Sequence, residues 1–396
     1  MDRLLNPFRP GAGTAPAALV GRDVLVDEFG VALRRAIARQ PGKSCMPLGL
    51  RGVGKTVLLN RFLQIAADEG VRTAFVEATD SGSFASQIAI RLRRVLLGLA
   101  TTPVRRAVTR ALGALRAFAL QLPDGTSISV GVDAMPGLAD SGLLDEDLAD
   151  LLVTTGEAAA ECGTGIVLAI DEAQYLDAQE MGAVIGAIHR TSQLDLPVLL
   201  VAAGLPQLRG LAGNARTYTE RLFTFPEIDV LGADDARAAL TIPAQDHGVE
   251  FTPEAAEAIV ELSRGYPYFV QEWGFHAWNA APASPITLDD VRATTPTVIE
   301  TLDRDFFRVR FDRLTPKERL YLRAMADLGP GPHRSGDVAA ALGVLVTSVA
   351  PRRSGLIAKG MLYSPAHGDT AFTVPLFDEF LKRAVPDGTP NWPRSK

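Results

Sequence analysis

The sequence predicts an α/β fold. A parallel sheet built around a phosphate-binding loop is followed by a helical lid and a C-terminal winged helix-turn-helix. Three observations carry this. A P-loop pattern lies at 49–56, between an apolar run and a helical stripe. Five short apolar segments alternate with helical stretches, as a parallel sheet covered on both faces requires. Three helical segments and a hairpin pattern then fill 311–385.

The loop comes first because two Gly-Lys-Ser/Thr triplets compete for it. A P-loop needs glycine, four residues, then Gly-Lys-Ser/Thr. Counting back from Gly54-Lys55-Thr56 gives Gly49, so "GLRGVGKT" fits in full. Counting back from Gly42-Lys43-Ser44 gives Ile37, inside the helix-like run "FGVALRRAIARQ", so that triplet reads as a turn. "SCMPL" supplies the entering strand. Val57, Leu58, Phe62, Ile65 and Ala66 mark the helix that leaves, with Gly70 as its stop. Gly49, Leu50, Arg51, Gly52, Val53, Gly54, Lys55, Thr56 and Val57 are the expected nucleotide contacts. Gly52 and Gly54 turn backbone N–H groups toward the phosphates, Lys55 reaches the β- and γ-phosphates, and the Thr56 hydroxyl meets Mg²⁺.

"VRTAFVEATD" (71–80) reads as the second strand. Two stripes follow: Phe84, Ile88, Leu92, Val95 and Leu99, then Val104, Val108, Leu112, Leu115 and Phe118. Arg91, Arg94, Arg105, Arg106 and Arg110 fall largely off them. "FALQLPDGTSISVGVD" alternates around Pro123-Asp124-Gly125 as a hairpin would. "GIVLAIDEAQYL" (165–176) is a buried strand ending in Asp171-Glu172. At that tip Asp171 would hold Mg²⁺ and Glu172 would orient the attacking water. The competing reading makes Asp171 a helix N-cap. A helix near 178–193, the strand "LPVLLVAAG" (196–204) and the last strand "LFTFPEIDV" (222–230) complete the sheet.

With 396 residues, 47% hydrophobic and 22% charged, the chain is globular and long enough for two or three domains. No apolar run reaches membrane-span length, and the start lacks a signal-peptide core. Cys45 and Cys162, expected in two central strands, make no disulfide framework or metal site and fit a reduced cytoplasm. A net charge of −6 argues against a protein that coats nucleic acid. Yet 81–120 holds seven arginines and no acid, and 311–385 is net +3. That leaves room for a localised partner surface.

The P-loop, the Asp-Glu-Ala-Gln strand end, the helical lid and the C-terminal winged helix together resemble an AAA+ ATPase. The likeness is to the origin-recognition-like branch and the related STAND signalling ATPases. "LVGRDVLVDEF" (19–29) resembles the segment beside adenine in those families, with Val20, Gly21 and Arg22 carrying it. "RGYPYFVQ" (264–271) resembles the Gly-x-Pro lid motif, here Gly265 and Pro267. The resemblance implies ATP and Mg²⁺ as cofactors and ATP hydrolysis as the activity, with Glu172, Lys55 and an arginine finger acting in trans. Arg221 or Arg216 is the candidate finger, which would bring self-association. Two departures point to slow turnover. The strand tip offers Ala202, Ala203 and Gly204 in place of a polar sensor, with Gln207 nearby. Tyr268 stands where lids of the family often place arginine, leaving Arg264 as the substitute.

In the expected recognition helix, Thr347, Arg352, Arg353 and Lys359 are candidate DNA contacts. The alternative is a switch whose winged helix and insertion bind a protein partner. The expected organisation is an N-terminal segment at 1–40 and a P-loop core at 41–232 with an insertion at about 81–135. A lid and linker at 233–310, the winged helix at 311–385 and a tail at 386–396 follow.

Overall fold

The computed structural model describes all residues except 12, 80–81, 101–105, 123, 127, 367 and 386–396. Asp80, Val104, Arg105, Pro123, His367 and the tail therefore lie outside the described residues. Contacts divide the chain into two compact units. One holds Arg22–Gly49 and Lys55–Ile228; the other holds Met1–Gly21, Leu50–Gly54 and Asp229–Lys396.

In the first unit the strands are β1 (Ser44–Cys45), β2 (Leu48–Gly49), β3 (Arg72–Glu77), β4 (Ile166–Asp171), β5 (Val198–Ala202), β6 (Phe223–Thr224) and β7 (Glu227–Ile228). A five-stranded sheet runs β3-β4-β5-β1-β6, every pairing parallel. The expected first and last strands are each split in two by a proline, Pro47 and Pro226, which cannot donate to a ladder. Beyond those breaks β2 pairs with β7. β4 and β5 are buried along their whole lengths, which explains their unbroken apolar sequences.

Among the described residues, the α-helices that accompany these strands are α1 (Asp23–Ile37), α2 (Lys55–Asp68), α3 (Phe84–Leu99), α4 (Arg106–Leu120), α5 (Leu144–Glu161), α6 (Ala178–Gln193), α7 (Leu208–Ala215) and α8 (Thr219–Leu222). The stripes on α3 and α4 are buried as their spacing required. α6 begins with an Asp177–Glu180 capping box. The first Gly-Lys-Ser triplet is no phosphate loop: Ser44 opens β1, and its hydroxyl accepts a hydrogen bond from the Leu200 N–H at 2.9 Å. Two expectations fail. Cys162 caps the end of α5 and is not in a strand. The hairpin over 118–132 is absent among the described residues: Leu120 still belongs to α4, and no described residue from 121 to 132 lies in a strand.

The second unit contains α9 (Ala233–Gln245), α10 (Pro253–Ser263), α11 (Pro267–Ala280) and α12 (Leu288–Thr301) where the lid was expected. A short π-helix at Leu302–Phe307 leads into α13 (Arg308–Phe311). Next come α14 (Pro316–Asp327), β8 (His333–Arg334), α15 (Ser335–Ala341), α16 (Val346–Ala358), β9 (Leu362–Tyr363), β10 (Asp369–Phe372) and α17 (Phe377–Ala384). The three strands pair antiparallel in the order β8-β10-β9. Three helices and this small sheet are compatible with a winged helix.

Candidate functional site

β5 lies between β1, which leads toward the P-loop, and β4, which ends in Asp171. The C-terminal tips of these three strands form the switch point of the sheet, where open α/β folds place ligands. Gly49 closes β2, and Lys55 and Thr56 open α2, so the loop ends at a helix N-terminus. Gly52 and Gly54 hold φ of +81° and +96°, which a side-chain-bearing residue resists. A β-carbon on Gly54 would meet open space, so its side of the loop can admit a phosphate. Val53 is buried, as is the Lys55 side chain.

The Thr56 hydroxyl donates to Asp171 Oδ2 at 2.6 Å, and the Glu172 N–H donates to Asp171 Oδ1 at 2.9 Å. The two residues assigned to the metal therefore share one spot in the sheet unit. Among the described residues no group of three or more His, Cys, Asp or Glu could hold a metal. This donor set fits Mg²⁺, which takes one or two protein oxygens and completes its shell with phosphate and water. Burial raises the Asp171 pKa above the ordinary carboxylate value, against the opposing pull of the Thr56 and Glu172 hydrogen bonds and the Lys55 charge.

That shift has a signed consequence. A carboxyl whose folded pKa is raised contributes its stability below the unfolded pKa and loses it as pH rises through the folded value. The ionised form of Asp171 is therefore a cost, which a bound cation would offset. In Asp171→Asn the amide oxygen can still accept from the Glu172 N–H and the amide N–H can donate to the Thr56 hydroxyl. The expected result is a Tm advantage over the parent that is larger at pH 8 than at pH 5. Thermal melts with and without Mg²⁺–ATP should also show the metal-dependent stabilisation lost.

Glu172 sits at φ 51°, ψ 36°, a left-handed backbone at the start of a 3₁₀ turn over Ala173–Tyr175. Such a conformation costs about 1–3 kcal/mol and collects at functional sites. The Glu172 carboxylate Oε2 accepts a hydrogen bond from the Gln174 side-chain amide. The other end of that amide, Oε1, accepts from the Leu205 N–H at 3.0 Å. Gln174 closes the Asp-Glu-Ala-Gln strand end, where the sequence alone assigns it no role. Gln207, the residue considered as a sensor, is exposed where α7 begins.

In the second unit, the Tyr266 hydroxyl donates to the Arg51 backbone carbonyl, and a β-carbon on Gly52 would collide with that hydroxyl. Burial raises the Tyr266 pKa, so the phenol stays a donor. Sequence reasoning passed over Tyr266, although it is the middle residue of Gly265-Tyr266-Pro267. Pro267 itself begins α11. The Arg51 guanidinium lies so close to Gly360 that a β-carbon there would stand 3.0 Å from its central carbon. Gly21 takes φ +68° beside the Asp235 carboxylate. Val20 is half-buried in this unit, while Arg22 begins the sheet unit and stands at the N-cap of α1.

The remaining candidates separate by their partners. Arg221 is exposed on α8, while Arg216 bonds the Gly182 carbonyl at 3.4 Å and Asp145 at 3.5 Å. Arg264 pairs with Glu379 at 2.6 Å, and Tyr268 donates to Glu272 at 2.7 Å. On α16, Arg353 is turned inward. It bonds the Thr370 hydroxyl at 2.6 Å, the Asp369 carbonyl at 2.8 Å and the Ser364 hydroxyl at 2.9 Å. Lys359 pairs with both Glu318 oxygens at 2.8 Å. Thr347 is exposed and Arg352 half-buried.

Residues 18–201 match an AAA ATPase domain. Together with the parallel sheet and the loop geometry, this match supports an α/β fold of the AAA+-like P-loop type. Residues 304–381 match a domain of unknown function, DUF8462. No curated protein matches the chain. The Walker-type ATPase PABY2304 of Pyrococcus abyssi is similar at TM-score 0.61 and 15% identity, over 96% of this chain and 99% of that one. Cdc6p from Pyrobaculum aerophilum is similar at TM-score 0.50 and 16% identity, over 97% and 99%. At such identities the likeness is one of fold.

Proposed function

We propose that the chain is a slowly hydrolysing ATPase whose nucleotide state controls duplex DNA binding through the C-terminal winged helix. The position of Arg51 carries the reading. Its carbonyl accepts from Tyr266 of the lid and its guanidinium packs on Gly360 of the C-terminal domain. One segment of the phosphate loop is thereby linked to both, so reordering the loop around a phosphate alters what each touches.

Lys55 would neutralise the β- and γ-phosphates, and Thr56 and Asp171 would hold Mg²⁺. Val20, Gly21, Arg22 and Pro267 would border the adenine. Glu172 would orient the water, with Arg221 supplied to a neighbouring copy. The inward bonds of Arg353 and Lys359 favour a second reading, in which α16 recruits a protein and DNA plays no part. Arg352 and Thr347 are what remains for a phosphate backbone.

The test is anisotropy of a labelled duplex at 50 and 200 mM salt, with ATP or ADP present. The expected outcome is an affinity that differs between nucleotides, falls with salt and weakens in Arg352→Ala. No affinity at low salt in either state would leave the protein-recruiting reading.

A further inference from the structure

We propose that Gln174 is the positioning residue that holds Glu172 and ties it to the tip of β5, doing what the apolar Ala202–Gly204 segment cannot. The inference rests on reading Glu172 as the group that orients the attacking water.

The geometry asks for a glutamine. Its amide N–H₂ faces the Glu172 carboxylate, which only accepts, and its oxygen faces the Leu205 N–H, which only donates. Rotating the amide by half a turn would set acceptor against acceptor and donor against donor, so one orientation is fixed. Glutamate at this position could accept from Leu205 but would repel Glu172. Asparagine, one methylene shorter, would not span both partners from the same backbone.

Gly204 makes room for this side chain. A β-carbon there would stand 2.7 Å from Gln174 Oε1 and 2.8 Å from the Leu208 side chain. The missing polar sensor and the presence of Gln174 are thus one feature: the strand tip is kept bare so that a carboxamide from the neighbouring turn can lie across it.

The backbone around the contact is tied on both sides. The Ala173 N–H donates to the Ala203 carbonyl at 2.9 Å, and the Ala203 N–H donates to Ile170 at 2.8 Å. The Gly204 N–H donates to the Pro47 carbonyl at 3.1 Å, and its own carbonyl accepts from Gly49 at 3.1 Å. A continuous hydrogen-bonded route therefore runs from Gly49, the first residue of the phosphate loop, through Gly204 and Leu205 to Gln174 and Glu172. Movement at the start of the loop is passed to the carboxylate through the carboxamide.

The experiment measures steady-state ATP hydrolysis and nucleotide affinity in the full chain for Gln174→Ala, Gln174→Glu and Gly204→Ser, each also in a Glu172→Gln background. The expected result is a kcat lower by about 10- to 100-fold with KM and nucleotide Kd unchanged. In the Glu172→Gln background the second change should cost nothing further. Gly204→Ser should reproduce the loss by displacing the carboxamide, and stands in for Gln174→Ala if that variant melts early. An unchanged kcat, or a loss that adds to that of Glu172→Gln, overturns the proposal. A parent rate equal to that of Glu172→Gln would instead overturn the hydrolytic reading itself, and this inference with it.

Discussion

Lys55→Ala is expected to abolish the stabilisation that ATP confers and to weaken ATP binding by about 30-fold to several thousand-fold. The range follows from the roughly 2–5 kcal/mol lost when one member of a buried, hydrogen-bonded charge pair is truncated. Lys55 is the one buried lysine among the described residues, and it stands at the first turn of α2. Its charge also favours ionised Asp171, so alanine removes the phosphate partner and the cation that eases a buried carboxylate at the same time. Titration with a fluorescent ATP analogue, beside thermal melts with and without Mg²⁺–ATP, measures both consequences. Retention of parental affinity would show that Lys55 is not a phosphate partner.

The second large effect is expected from Glu172→Gln. An amide can occupy the same space but cannot take the proton of an attacking water, so turnover should fall by about 10²- to 10⁴-fold. ATP affinity should stay within a few-fold of the parent, since Glu172 faces Gln174 and is not one of the loop donors. Single-turnover hydrolysis with a binding control separates the two quantities. A variant that hydrolyses at the parental rate would assign the residue to the cap of the following turn and nothing more.

The phosphate loop and the acidic strand end were legible because each is a local pattern whose chemistry is fixed by a few contiguous residues. The five-strand sheet was legible because a strand buried on both faces shows a run of apolar residues. The failed hairpin shows where such reasoning ends. Ile128 and Val130 are buried alternately as expected, but the polar backbone of the segment is served by side chains: Arg93 donates to the Ser129 carbonyl at 2.7 Å and Arg116 to Val132 at 3.0 Å. Alternation records which side is buried and says nothing about who supplies the hydrogen bonds. The same two arginines show that part of the basic 81–120 region works inward.

Gln174 and Tyr266 were illegible for a related reason. Each is an ordinary residue inside a quoted motif, and its meaning comes from a partner far along the chain, Leu205 or Arg51. The recognition-helix candidates illustrate the opposite case. A basic residue on a surface helix looks available in sequence, yet Arg353 and Lys359 spend their charge stitching α16 to β10 and α14.

The two proline breaks in the sheet also bear on how the protein behaves in a crowded solution. β6 is an outer strand, two residues long, and the chain beyond it reaches β7 only after Pro226. An outer strand with a continuous row of open N–H groups is a template on which another chain can extend the sheet, and so a seed for aggregation. Here the row stops after Thr224. It offers an incoming strand too few bonds to hold a register.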